Sequence, residues 1–214
     1  MTTLAIMKAR IDRELRRANG IDTQIAEAIE TAIAAYQDER WHFNEKRSVT
    51  FNTVVDQEFY DESDAADLAN LVKIDYVTMR IGNTIFDLLP DTPAQMEGAS
   101  DNATATGQPG WYVWYERQIR LYPVPATAGW VVRVAGVYHY AAPATDAETG
   151  NFWMTEAERL IRCRAKYELA THVLMDVNLA QVMTANTTEA FDQLKRKTNK
   201  LTQGGNGRIR AMQF

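Results

Sequence analysis

The 214-residue chain has one cysteine, three histidines, six prolines and eleven glycines. No apolar run approaches the roughly 18 residues that a membrane span needs. The single Cys163 excludes an internal disulfide and any multi-cysteine zinc cluster. His42, His139 and His172 lie in three separate segments, none with a His or Cys partner at metal-ligand spacing, so neither metal nor cofactor is expected. No G-x-S-x-G elbow, phosphate-binding loop or dinucleotide fingerprint is present. Gly204, Gly205 and Gly207 follow a helical pattern, whereas a phosphate cradle follows a strand. The expectation is a protein that is not an enzyme.

A net charge of −5 and a pI near 5.3 argue against a general nucleic-acid coat, which needs a basic surface to neutralise phosphates. The acidic run from Asp56 to Asp67 lacks the glycine and closing glutamate of a calcium loop and reads as a solvated face. Met1 to Arg17 has spaced basic residues but no contiguous apolar stretch, so it is not a secretory signal.

Leu4, Met7, Ile11 and Leu15 recur at helical spacing, so Thr3 to Ala18 is expected to be an amphipathic helix with Lys8, Arg10, Arg13, Arg16 and Arg17 on its outer side. A second helix is expected from an N-cap at Asp22 to about Glu39. The pattern then changes to alternation. Strands are expected at Val49 to Thr53, Val55 to Tyr60, Leu71 to Ile81, Thr84 to Leu89, Trp111 to Tyr115, Ile119 to Tyr122 and Trp130 to Tyr140, with a tight turn at Gly82 and Asn83. The glycine- and proline-bearing stretch from Pro90 to Gly110 reads as a connection with one short helix. Trp111 and Trp114 suggest an aromatic sheet face.

Thr155 and Glu158 match a capping box for a third helix, whose apolar face runs from Leu160 through Cys163 and Tyr167 to Val177. A fourth carries Leu179, Met183, Ala190, Leu194 and Leu201, with a break near Asn186. The expected fold class is α+β: N- and C-terminal helical hairpins (1–45 and 153–201) forming a bundle, a β-rich insertion (46–152) and an extended C-terminal tail (202–214).

Several of these segments together resemble a known family. They are the helix end and strand from Tyr36 to Thr53, the stretch Gly107 to Tyr112, the hairpin strand Ile119 to Pro125, Val137 to Tyr140, and Trp153 with Thr155, Leu160, Ile161, Ala165, Tyr167, Glu168 and Leu169. In this order, across about residues 20 to 200, they resemble the head-to-tail adaptor proteins of tailed bacteriophages, in particular the neck adaptors of short-tailed phages.

The resemblance implies a structural virion protein: a homo-oligomeric ring, a dodecamer, below the portal protein. Such a ring extends the channel through which viral DNA passes without sequence-specific binding, and it receives the next neck or tail protein. It implies a place in the virion neck, reached by assembly in the host cytoplasm, with no membrane involved. A C-terminal extension clasps the portal in such adaptors, which assigns apolar anchors to Ile209, Met212 and Phe214 and directed hydrogen bonds to Arg208 and Arg210. The basic residues of the first helix have three candidate partners: DNA, an acidic portal surface, or a neighbour's Asp56–Asp67 patch. The alternative reading is a binding module that recognises a glycan or receptor through exposed Trp111 or Trp114.

Overall fold

The computed structural model describes residues 2–15, 20–100 and 105–202. The fold is mixed α+β, with six α-helices and nine strands among the described residues. The chain divides into two compact units, one made of Met1–Phe43 with Tyr140–Phe214, the other of Asn44–His139. Arg16, Arg17, Arg208, Ile209, Arg210, Met212 and Phe214 lie outside the described residues.

In the first unit, α1 (Leu4–Leu15) begins where the Thr3 hydroxyl oxygen accepts the Ile6 N–H at 3.3 Å, and it buries Met7 and Ile11. Helix α2 (Asp22–Ala34) buries Ile25, Ile29 and Ile33 on one stripe. Its N-cap is Ile21, which offers no side-chain acceptor. Asp22 therefore stands inside the first turn, where its charge suits the helix dipole, and does not cap as expected. The helix also stops at Ala34, short of Glu39. Turns from there bring Trp41 back into the core, with its indole N–H donating to the Tyr36 carbonyl at 3.0 Å.

The capping box at Thr155 is overturned. Asn151 caps a four-residue helix, α4 (Phe152–Thr155), by accepting the Trp153 N–H at 3.0 Å, and the Thr155 hydroxyl donates back to the Asn151 carbonyl. Helix α5 (Glu158–Glu168) follows after two intervening residues, Glu156 and Ala157. It does not continue to Val177: a π turn over Leu169–Val173 and a left-handed Met175 end it. Helix α6 (Val177–Thr202) then runs unbroken through Asn186. Its buried stripe is Met183, Thr187, Ala190, Leu194 and Thr198, while Leu201 is exposed.

In the second unit, β1 (Glu45–Asn52) is followed by a two-residue β2 (Phe59–Tyr60). The strand expected from Val55 is cut short because the chain turns at Asp56, which has φ +60°. The buried Tyr60 hydroxyl holds that turn by accepting the Val54 N–H at 3.2 Å and donating to the Gln57 carbonyl at 3.1 Å. A short 3-10 turn (Ala66–Asn70) leads to the hairpin β3 (Leu71–Ile81) and β4 (Thr84–Pro90), joined by Gly82 and Asn83 as expected, with Gly82 at φ +57°.

Helix α3 (Pro93–Ser100) is the short helix of the connection. After it come β5 (Thr106–Gly107), β6 (Trp111–Tyr115), β7 (Gln118–Tyr122), β8 (Val124–Pro125) and β9 (Val131–Tyr138). Seven strands form one sheet in the order β1-β9-β3-β4-β6-β7-β2, antiparallel throughout except for β4 with β6. Val49, Phe51, Val77, Met79, Leu121 and Val134 stand in the core on one face.

Candidate assembly surfaces

The basic side chains of α1 are engaged within their own unit. Lys8 pairs with Asp146 at 2.7 Å and Arg10 with Glu158 at 3.0 Å, while Arg13 Nε donates to the carbonyl of Ala9 one turn back. On the same helix, Glu14 receives both Arg162 and Lys166 from α5. Burial pushes the Glu14 carboxyl up, but the hydrogen bond and charge of Lys166, joined by Arg162, outweigh it and hold the group below the usual glutamate value. These are clamps between helices. Near the end of α6, Lys195 is likewise taken up by Glu39 and lies over the Trp41 ring, and Lys197 by Glu156, whereas Arg196 and Lys200 face solvent.

The sheet of the second unit presents a mixed outer face. Register pairs Arg80 with Ile85, Thr78 with Asp87, and Leu89 with Trp111 on the side away from Val77, Met79 and Leu88. Tyr76, Ile85, Leu89 and Trp111 are exposed there. The two tryptophans singled out from sequence do not share this face: three positions apart on a strand they point oppositely, and Trp114 packs against the core.

Charge is divided unevenly. The second unit carries 13 acidic residues and 7 Lys plus Arg, net −6, and the helical unit 15 and 16, net +1. Asp61, Glu62 and Glu116 border one shallow depression with Arg117 and Gln118. Hydrogen bonds from the Ser63 hydroxyl and N–H hold the Asp61 carboxyl below its ordinary value. No three His, Cys, Asp or Glu side chains converge as a metal cage among the described residues. Cys163 is buried, and burial pushes its thiol up.

One surface was missed in the sequence. Between α5 and α6 lies a groove lined by Tyr36, Tyr167, Thr184, Phe191, Met175 and Val177. The missed signal was Asp176, whose carboxylate accepts the Leu179 N–H at 3.0 Å and starts α6 inside the stretch where the third helix was expected to run on to Val177.

What the two units offer is surface: a one-sided sheet, an acidic margin and a helical groove, the attributes of an assembly protein. The sequence matches the family model described as SU10 adaptor protein over residues 2–210, and the chain belongs to that family. In kind it is a bacteriophage adaptor, a structural protein, in agreement with the resemblance to head-to-tail adaptors. No curated protein matches the sequence.

Proposed function

We propose that the chain is one subunit of a dodecameric ring that docks below the portal, extends the DNA channel and receives the next neck or tail protein. The family match across residues 2–210 carries this reading. In it, the helical bundle and the β unit join neighbouring subunits, and Arg208, Ile209, Arg210, Met212 and Phe214 grip the portal. The place of action is the virion neck, reached by assembly in the host cytoplasm. No helix among the described residues is long and apolar enough to cross a membrane.

The charge division supports the channel role. A unit of net −6 turned to the lumen repels phosphates, so DNA slides and does not bind. With Lys8 and Arg10 occupied by Asp146 and Glu158, the exposed Arg196 and Lys200 are basic side chains of the helical unit that suit an acidic protein partner.

The test is electron microscopy of DNA-filled, tail-less capsids of the same phage mixed with the full chain or with a chain lacking residues 204–214. A ring beneath the portal that is lost on deletion is the expected result. Binding that survives deletion moves the grip to the folded units. Absence of binding by the full chain overturns the adaptor role and leaves the exposed Trp111 face, as a glycan or receptor site, to be tested next.

A further inference from the structure

Each unit carries a cluster of exposed apolar side chains. On the helical unit these are Val173, Met175, Val177 and Val182, at the turn that ends α5 and in the first two turns of α6. Met175 is 74% exposed at φ +53°, a left-handed conformation that residues other than glycine rarely adopt. With Val177 it lines a depression of about 430 Å³ whose other walls are Tyr167, Ala170 and Ala180. From Val177 to Thr188 the helix carries no charged residue. An apolar, methionine-bearing and charge-free patch has the composition of an interface centre.

The second cluster is on the sheet. Leu89 pairs with Trp111, and Tyr76 stands one residue beyond the Val77–Leu88 pair, so the three exposed side chains form a row across β3, β4 and β6. Ile85, 63% exposed, lies further along β4 on the same face. Arg80 and Arg133 are exposed there too, and with Asp87 beside them the margin is net positive.

We propose that these two clusters bind each other between copies of the chain, the sheet row of one copy seated on the α5–α6 end of the next. Each cluster supplies what the other lacks. The helical end offers a recess and an uncharged apolar rim, and the sheet row offers an exposed aromatic ring, Trp111, of the kind that anchors interfaces when it enters a pocket. Charge fits as well. On α6, the exposed Asp192 lies two turns past Ala185, about 11 Å along the helix, and about 15 Å past Val182. On the sheet, Arg133 and Arg80 stand about 12 and 14 Å from Leu89, from the rise along a strand and the spacing between strands. With the apolar centres opposed, the carboxylate therefore falls within reach of the two guanidinium groups. Because the two surfaces differ, the contact is heterologous: every copy uses one of each, and such contacts close into a ring when the rotation allows.

The inference rests on the self-assembly proposed above and names the surfaces that carry it. The test is sedimentation equilibrium of the full chain up to about 1 mM, a weak-binding limit. Two folded variants are compared with the parent: Val177→Lys with Val182→Lys, and Ile85→Glu with Leu89→Glu, all four positions being exposed. The parent is expected to associate, and each variant alone to associate at least tenfold more weakly. An equimolar mixture of the two is expected to recover a 1:1 heterodimer at the parent's affinity, since it retains one intact copy of each surface. A parent that stays monomeric, or a variant that associates alone as the parent does, overturns the pairing, as does a mixture that forms no heterodimer. A ring that still forms on tail-less capsids from either variant keeps the adaptor reading and overturns this pairing alone.

Discussion

A Cβ at Gly136 would stand 2.1 Å from the backbone oxygen of Lys73. Gly136 lies on β9 between two irregular ladders, with register shifts against β1 between Lys46 and Val49 and against β3 between Ile74 and Tyr76. The close approach lets β9 keep both neighbours while each is bulged. Gly136→Ala must push the β3 backbone away, and a loss of about 2–3 kcal/mol is expected, read as a lower urea midpoint. An unchanged midpoint would show that the two strands separate at no cost.

Asn151 is buried and does three things: it accepts the Trp153 N–H, and its amide donates to the Ala141 carbonyl and to Glu148, both at 3.2 Å. Asn151→Ala removes the cap and strands two backbone groups, at an expected cost of about 1–3 kcal/mol. Asn151→Asp keeps the cap and loses the donor, so it should fall between. Denaturant titration of the three proteins ranks them, and an alanine variant as stable as the parent removes the capping role.

Glu14 makes the α1–α5 clamp dependent on pH. Its folded value is depressed below the ordinary 4.5, so the stability it adds is fully present above 4.5 and is lost as pH falls through the lower folded value. The group is partly exposed and solvent-screened, which limits the effect to under about 1 kcal/mol. Glu14→Gln is expected to flatten the acid limb of the stability–pH curve and to lower stability slightly at neutral pH. Parallel curves for the two proteins would exclude the clamp.

Thr198 is 2% exposed, and its hydroxyl has no partner among the described residues. Thr187, on the same stripe, bonds the Met183 carbonyl at 2.7 Å. Thr198→Val replaces an unpaired hydroxyl by a methyl of similar size and is expected to be neutral or stabilising by about 1 kcal/mol, although valine is a slightly poorer helix former. A clear drop in melting temperature would reveal a bond to a group beyond those described.

Elements whose cause is local were legible. Met7 with Ile11, and Ile25 with Ile29 and Ile33, declare their helices by spacing alone, because a period of 3.6 follows from backbone geometry. The β3–β4 hairpin was legible for the same reason, with alternation on both sides of a turn that wants glycine at positive φ. The end of α5 was not, since apolar residues continue in step past Leu169 and only the Asp176 cap betrays the restart. The tail anchors and the basic stripe were named from composition and resemblance, and composition does not say which charges find partners.

The sequence by itself determined the α+β class, the type of most elements and, through its family resemblance, the kind of protein, because periodicity and turn chemistry act over a few residues. Tertiary structure alone decided what the charges of α1 do, since Lys8 and Arg10 meet acids 138 and 148 positions away. It also decided the parallel join of β4 to β6, made when Leu89 donates to Gly110 and Asp91 to Tyr112 across the connection that holds α3. The groove between α5 and α6 belongs to the same class. These features depend on which distant surfaces the core brings together, and no local pattern encodes that choice.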